Sequence, residues 1–235
     1  MQNPVALPCF NDNYIWLLPS DQGCWVVDPG DATPVLAWLE QHKQTLAGIL
    51  LTHHHADHTG GTEQLRQLGN CTVWGPDECR SWRTDAVHDQ QTLELAGLGQ
   101  AKVLSVGAHT LGHVAYYLPN QGWLFCGDTL FSAGCGRLFE GTAADLQRAL
   151  ARINALPAET LLFPTHEYTL SNLRFARHVE PKNTAVIAVE ADVQARRSQG
   201  QPSLPTSLTQ ERSINPFLRT HSSEIRTQVA QWSGQ

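Results

Sequence analysis

No apolar run in this 235-residue chain approaches the ~18 residues that a membrane-spanning helix needs. The stretch from Met1 to Tyr14 carries Pro4, Pro8, Asn11, Asp12 and Asn13 where an export signal would place its apolar segment. A membrane helix is thereby excluded, and a cytoplasmic protein with no membrane partner is expected. Charge is sparse as well: 16 Lys and Arg stand against 22 Asp and Glu, the net charge is −6, and no basic run occurs, which disfavours a general nucleic-acid binder. Gly (18) and Pro (13) are too few for a collagen-like or low-complexity chain, and 41% hydrophobic residues argue against disorder. No two of the six cysteines stand at C-x-x-C spacing, so a zinc knuckle or a thioredoxin-like pair finds no support. In a cytoplasmic chain of this size the thiols are expected to be reduced, and most to be small buried apolar residues.

What remains is one globular domain with an appendage. Residues 14–18 (YIWLL) and 24–28 (CWVVD) read as a β-hairpin, and Thr33-Pro34 as the N-cap and first turn of a helix running to about Lys43. A short strand over 48–51 delivers the chain into a histidine cluster. A helix is expected over 59–68, strands over 71–74, 102–106, 114–118, 123–126 and 161–163, and a helix capped by Thr142 between the last two. Beyond His166 no convincing strand is visible, and Leu170, Leu173, Ala176 and Val179 recur at helical spacing. Two units follow: a mixed α/β unit over residues 1–165 and a helical unit over 166–235, with further helices at 183–197 and 222–232.

Eleven histidines are the unusual feature of the composition, and four lie between positions 53 and 58. In Thr52-His53-His54-His55-Ala56-Asp57-His58, residues two apart point the same way, so His53 and His55 can chelate one cation while Asp57 and His58 reach a second. Imidazole with carboxylate suits zinc, iron or manganese rather than calcium or magnesium. A dinuclear site needs ligands from elsewhere, and His109, Asp128 and His166 each follow the end of an expected strand. His113 reads as a supporting residue. His42, His88, His178 and His221 show no recurring geometry and read as surface residues.

The segments T-H-H-H-A-D-H-T-G-G (52–61), H-T-L-G-H (109–113), C-G-D-T-L-F (126–131) and P-T-H-E-Y (164–168) together resemble the metallo-β-lactamase superfamily. Within it the chain is similar to the hydroxyacylglutathione hydrolase (glyoxalase II) family. That likeness is carried by F-N-D-N-Y-I-W (10–16), V-D-P-G (27–30), F-S-A-G-C-G-R (131–137), H-E-Y-T-L-S-N-L-R-F-A (166–176) and N-P-F-L-R (215–219), and spans nearly the whole chain. The resemblance implies an α/β fold, an αβ/βα sandwich followed by a small helical domain that helps hold glutathione. It implies His53, His55 and His109 on one metal, Asp57, His58 and His166 on a second, and Asp128 bridging. Two divalent ions per chain are expected, zinc first and iron or manganese next. The implied reaction is hydrolysis of S-D-lactoylglutathione to glutathione and D-lactate, the second step of methylglyoxal detoxification. Its nucleophile is a hydroxide held between the metals, with Asp57 and Asp128 as the catalytic carboxylates.

Glutathione carries two carboxylates, so its site needs cations and polar donors, and Arg137, Phe139 and Tyr168 are the expected substrate contacts. Here the chain departs from the family pattern: G-R-L-F stands at 136–139 where G-K-F-Y is more common, which keeps a charge and removes a hydroxyl. The basic R-x-x-K-D-x-F-like segment usual near the family's C-terminus is also missing, leaving Arg219 and Arg226 nearby. Weaker glutathione binding or a shortened chain is therefore expected. A lactonase or β-lactamase, an iron persulfide dioxygenase of the same superfamily and a non-catalytic metal-binding module are the rival readings. A monomer is expected.

Overall fold

The computed structural model describes residues 2–69 and 71–233. Met1, Asn70, Gly234 and Gln235, which fall within the two expected units, lie outside the described residues.

The first sheet contains β1 (Val5–Cys9), β2 (Asn13–Ser20), β3 (Gly23–Val27), β4 (Leu46–Leu50), β5 (Thr72–Gly75) and β6 (Asp85–Ala86), side by side in chain order. The first three strands are antiparallel and the pairs from β3 to β6 parallel. The second sheet has the order β14-β13-β10-β9-β8-β7, built from β7 (Thr92–Leu95), β8 (Gly99–Ser105), β9 (Val114–Leu118), β10 (Trp123–Gly127), β13 (Leu161–Pro164) and β14 (Thr206–Ser207). A separate hairpin of β11 (Leu130–Phe131) and β12 (Gly134–Cys135) follows β10.

Strand periodicity explains how the sheets stack. Side chains of a strand alternate between its faces, and in β2 Tyr14, Trp16 and Leu18 enter the core between the sheets, where they meet Phe125 and Phe163. Ile15 and Leu17 face the other way, toward α1 (Ala32–His42) and α3 (Thr62–Arg66). The second sheet likewise turns Leu104, Ala115 and Leu124 outward onto Leu150 and Ile153 of α4 (Ala143–Asn154). The central strands of both sheets are thus buried on both faces, while β7 and β8 expose Thr92, Glu94, Gln100 and Lys102, and the layering is helix, sheet, sheet, helix. Trp16 anchors the centre: its indole N–H donates to the Pro164 carbonyl at 2.9 Å and its ring meets Phe163 edge-on. Each such side chain contributes roughly 1.5–3 kcal/mol by leaving water.

The C-terminal part holds α5 (Thr169–Val179), α6 (Thr184–Ser198), α7 (Leu208–Ile214) and α8 (Ser223–Ser233), packed around Leu173, Ala176, Val186, Val193 and Ile214. Three local expectations are corrected. α1 is capped by Asp31, whose carboxylate accepts the Thr33 N–H at 2.8 Å, and not by Thr33. The helix expected over 59–68 is broken into α2 (Ala56–Thr59) and α3, because Gly60-Gly61 passes against the backbone at Pro29–Ala32, where a Cβ on Gly61 would lie 2.4 Å from the Ala32 nitrogen. The region after His166 also contains a strand: β14 pairs with β13, so the helical part donates an edge to the second sheet. Two residues are too short to leave a period-2 signal. The six cysteines are free, and Cys9, Cys24, Cys79 and Cys126 are buried, as expected.

Candidate metal centre

The strands deliver their C-terminal ends to one edge of the sandwich, and the expected residues meet there. His53 and His55 follow β4, Asp57 and His58 sit on the single turn of α2, His109 lies between β8 and β9, Asp128 follows β10 and His166 follows β13. His42, His88, His178 and His221 are exposed and take no part.

Two groups of three side chains could each hold a cation: His53 with His55 and His109, and Asp57 with His58 and His166. In the first, His55 Nδ1 lies 3.0 Å from both His53 Nε2 and His109 Nε2. In the second, His58 Nε2 and His166 Nε2 lie 3.6 and 3.4 Å from Asp57 Oδ2. Asp128 reaches toward both: Oδ2 is 3.5 Å from His109 Nε2 and 3.2 Å from His166 Nε2, and Oδ1 is 3.4 Å from His58 Nε2.

The outer hydrogen bonds fix which nitrogen of each ring carries its proton. His109 Nδ1 lies 2.7 Å from the Arg137 carbonyl, which can only accept, so its Nε2 presents a lone pair. The Thr52 hydroxyl donates to Asp28 at 2.7 Å and so accepts from His53 Nδ1 at 3.0 Å. His58 Nδ1 faces Asp28 Oδ2 at 3.0 Å, and His166 Nδ1 faces Asp12 Oδ1 at 2.9 Å. In the neutral rings four imidazole nitrogens therefore turn lone pairs inward onto two carboxylates. His58 Nε2 and Asp128 Oδ1 are buried with no hydrogen-bond partner. Such atoms are costly unless something positive lies between them, and a nitrogen and oxygen donor set of this kind fits a divalent transition metal. A third group, Asp28 with His53 and His58, is also close enough. Asp28 is nevertheless already spent, accepting the Thr52 N–H, the Thr52 hydroxyl and His58 Nδ1, and so orients the ligand set from behind.

The charges follow the same logic. Burial, and then His58, push His53 well below the usual histidine range, so it stays neutral. Burial likewise lowers His55, with His109 adding to it. For His58, burial opposes protonation but the Asp128 and Asp28 carboxylates outweigh it and raise its pKa well above normal. Burial disfavours the Asp128 anion, yet His58 and His166 overcome this and hold its pKa well below the usual carboxylate range. A cation bound here would have to displace any proton on His58 Nε2 before taking that lone pair.

Two glycines make the approach possible. Gly127, at φ +48°, brings the chain past Thr52 and His113, where a Cβ would lie 2.4 Å from Thr52 Oγ1. Gly30 lies so close to the α2 turn that a Cβ would stand 2.1 Å from the Asp57 carbonyl. His113 is fully buried, and its Nε2 accepts the Asp128 N–H at 3.1 Å.

A cavity of about 580 Å³ opens above the cluster, and Phe131, Arg137, Phe139 and Tyr168 line it. Phe139 stands edge-on to His55 and His109, and Tyr168 stacks at 4.7 Å on His166 with a 5° interplanar angle. Burial first, then Asp12, pushes the Tyr168 hydroxyl up to about 12, so it remains a donor. Arg137 is exposed, with its guanidinium 5.2 Å from the Phe139 ring centre. Arg219 is committed elsewhere, donating two hydrogen bonds to Glu180.

Sequence reasoning did not find Asp12, Asn13, Asp28 and Thr52. The V-D-P-G and F-N-D-N-Y segments mark two of the places, but nothing in the sequence says which histidine each side chain would reach.

The family model described as the metallo-beta-lactamase superfamily matches residues 10–166, and that described as hydroxyacylglutathione hydrolase C-terminus matches residues 167–235. A hydroxyacylglutathione hydrolase of Ectopseudomonas mendocina is 53% identical over 219 residues, covering 92% of this chain and 85% of that one. One from Pseudomonas aeruginosa is 50% identical over 235 residues, covering 98% and 91%. Among solved structures, the BLEG-1 B3 metallo-beta-lactamase superposes with a TM-score of 0.70 over 92% of this chain and 98% of its own; at 22% identity that likeness concerns the fold alone. With both family models covering the chain between them and relatives at half identity along nearly its whole length, the chain belongs to the hydroxyacylglutathione hydrolase family of the metallo-β-lactamase superfamily.

Proposed function

We propose that this protein hydrolyses S-D-lactoylglutathione to glutathione and D-lactate, in the cytoplasm and as a monomer. The observation that carries the reading is the set of inward lone pairs on His53, His58, His109 and His166 around Asp128, with His58 Nε2 and Asp128 Oδ1 left without partners. His53, His55 and His109 would hold one divalent ion and Asp57, His58 and His166 the other, with Asp128 on both and zinc the first choice of metal. Such a pair, when bound, acidifies a water to a pKa near ~7 and polarises a carbonyl. The relatives named hydroxyacylglutathione hydrolase support the substrate class.

The chain's own residues supply the rest. Asp57, 41% exposed at its side chain and held by Asn13 at 3.0 Å, is the carboxylate best placed to orient the attacking water and accept its proton. The His113 contact at the Asp128 backbone N–H fixes the main chain from which this carboxylate projects. The leaving group is a thiolate, stable near neutral pH, so the departing sulfur needs no proton donor from the protein. Arg137 offers a cation to a glutathione carboxylate, and the Tyr168 hydroxyl offers a donor on the other side. Phe139 closes the cavity with an apolar edge beside His55 and His109. The helical unit over 166–235 would carry part of the glutathione contact, since His166 and Tyr168 open it. No helix among the described residues is long and apolar enough to cross a membrane.

The test is turnover of S-D-lactoylglutathione by purified, metal-loaded protein, with metal content measured on the same sample and His53→Ala as control. Turnover with about two ions per chain, lost in the variant, is expected. Fully loaded protein without turnover would overturn the assigned substrate.

A further inference from the structure

Asp12 and Asn13 are adjacent in the chain, and each grips a different side chain of the same candidate metal group. Asp12 Oδ1 lies 2.9 Å from the outer nitrogen of His166, and Asn13 Nδ2 donates to Asp57 Oδ2 at 3.0 Å. Asp12 ends the turn between β1 and β2 and Asn13 begins β2, so a single dipeptide reaches both. Among the described hydrogen bonds neither residue reaches His53, His55 or His109; the outer contacts of His53 and His109 come from Thr52 and the Arg137 carbonyl.

The dipeptide is itself held rigidly. Asn13 begins β2 and is 6% exposed. Phe10 takes a left-handed φ of 53° to turn the chain out of β1, a conformation unfavourable for a bulky side chain and retained only where the surroundings enforce it. Beyond the turn, Tyr14 N donates to the Thr165 carbonyl at 2.7 Å and Glu167 N donates to the Asp12 carbonyl at 2.8 Å, while Asn13 pairs with His166 as an antiparallel bridge. The strap that carries the two gripping side chains is thus zipped to the segment that carries His166. Glu167 extends the zip to the helical part through Tyr14, Ser203 and Arg197.

We propose that Asp12 and Asn13 are positioning residues dedicated to one half of the metal centre: they set the affinity of the Asp57/His58/His166 site and leave the His53/His55/His109 site alone. This rests on the dinuclear reading given above. Without Asn13 the half-exposed Asp57 carboxylate is free to rotate, and without Asp12 the His166 ring loses the acceptor that fixes its tautomer and plane; outer partners of this kind are worth roughly ten- to a hundredfold in metal affinity.

The experiment titrates cobalt(II) into chelator-stripped full-length protein, following visible absorption, with zinc content after reloading measured by elemental analysis. The variants are Asn13→Ala, Asp12→Ala and Asp12→Asn. Wild type is expected to take two ions. Asn13→Ala and Asp12→Ala should bind one ion as wild type does and the other roughly ten- to a hundredfold more weakly. Asp12→Asn keeps a carbonyl acceptor for His166 Nδ1–H and should recover most of the loss, which a merely structural defect in the turn would not produce. Equal weakening of both ions, or no weakening of either, overturns the proposal. A wild-type protein that takes up no cobalt would instead remove the dinuclear reading itself, and the proposal with it.

Discussion

Asp28 and His58 form a hydrogen-bonded pair wholly withdrawn from water: Oδ2 and Nδ1 lie 3.0 Å apart, with side-chain exposures of 1% and 0%. The same carboxylate accepts the Thr52 N–H and hydroxyl, and Thr52 in turn meets His53. One buried carboxylate therefore orients a histidine of each candidate metal group.

Asp28→Asn consequently tests the support behind both groups at once. The amide can accept from Thr52 N but must turn N–H groups toward a hydroxyl and a ring N–H that are themselves donating. Zinc affinity, measured by chelator competition, is expected to fall roughly ten- to a hundredfold. An unchanged affinity would mean that the His58 tautomer does not depend on Asp28.

Removing the metals should also be visible as lost stability. Ligands that bind only the folded state add RT ln(1 + [L]/Kd), about 4 kcal/mol at a thousandfold excess over Kd. For a chain of this size that corresponds to roughly 10 °C in the melting temperature. Chelated protein should melt lower by about that amount and recover on adding zinc, iron or manganese. Equal melting with and without metal would argue that the inward lone pairs are not a cation site.

The convergence of the seven expected residues was legible because it is local: H-x-H-x-D-H needs only strand and turn geometry to converge, and His109, Asp128 and His166 each stand beyond a strand. Asp28 and Asp12 were not, because their meaning lies in partners 30 and 154 residues away. The sandwich was legible only through the resemblance to the metallo-β-lactamase superfamily, because strands such as β2 and β9 are buried on both faces and carry no polar alternation. β14 was hidden because two residues have no period, and α7 because its seven residues follow a Pro/Ser-rich stretch that reads as a connector.

At the cavity wall the Arg137 guanidinium lies over the Phe139 ring, with no ion pair among the described residues. Arg137→Ala should raise KM for the glutathione thioester roughly tenfold or more, the worth of one charge-assisted hydrogen bond, and leave kcat within about threefold. The wild-type advantage should shrink as salt screens the exposed charge. A fall in kcat with unchanged KM would place Arg137 at the reacting atoms instead.

Glu180 and Arg219 join α5 to the segment before α8 through hydrogen bonds of 2.8 and 3.0 Å, and Asn183 and Ser222 also donate to the carboxylate, which is 3% exposed. Burial raises the Glu180 pKa, but Arg219 and then Asn183 outweigh it, and the net direction is downward. A depressed folded pKa means that the unfolded chain binds the proton more readily, so this contribution is present above about pH 4.3, the ordinary glutamate value, and is lost as pH falls through the lower folded value. Arg219→Ala leaves a buried carboxylate without its cation and should cost about 3 kcal/mol at pH 7. In urea unfolding the gap between wild type and variant should be full at pH 7 and close only as pH falls through the depressed folded value, below which the carboxylate is protonated in both. A gap that persists unchanged at pH 3 would assign the stabilisation to packing of the arginine stem rather than to the ion pair.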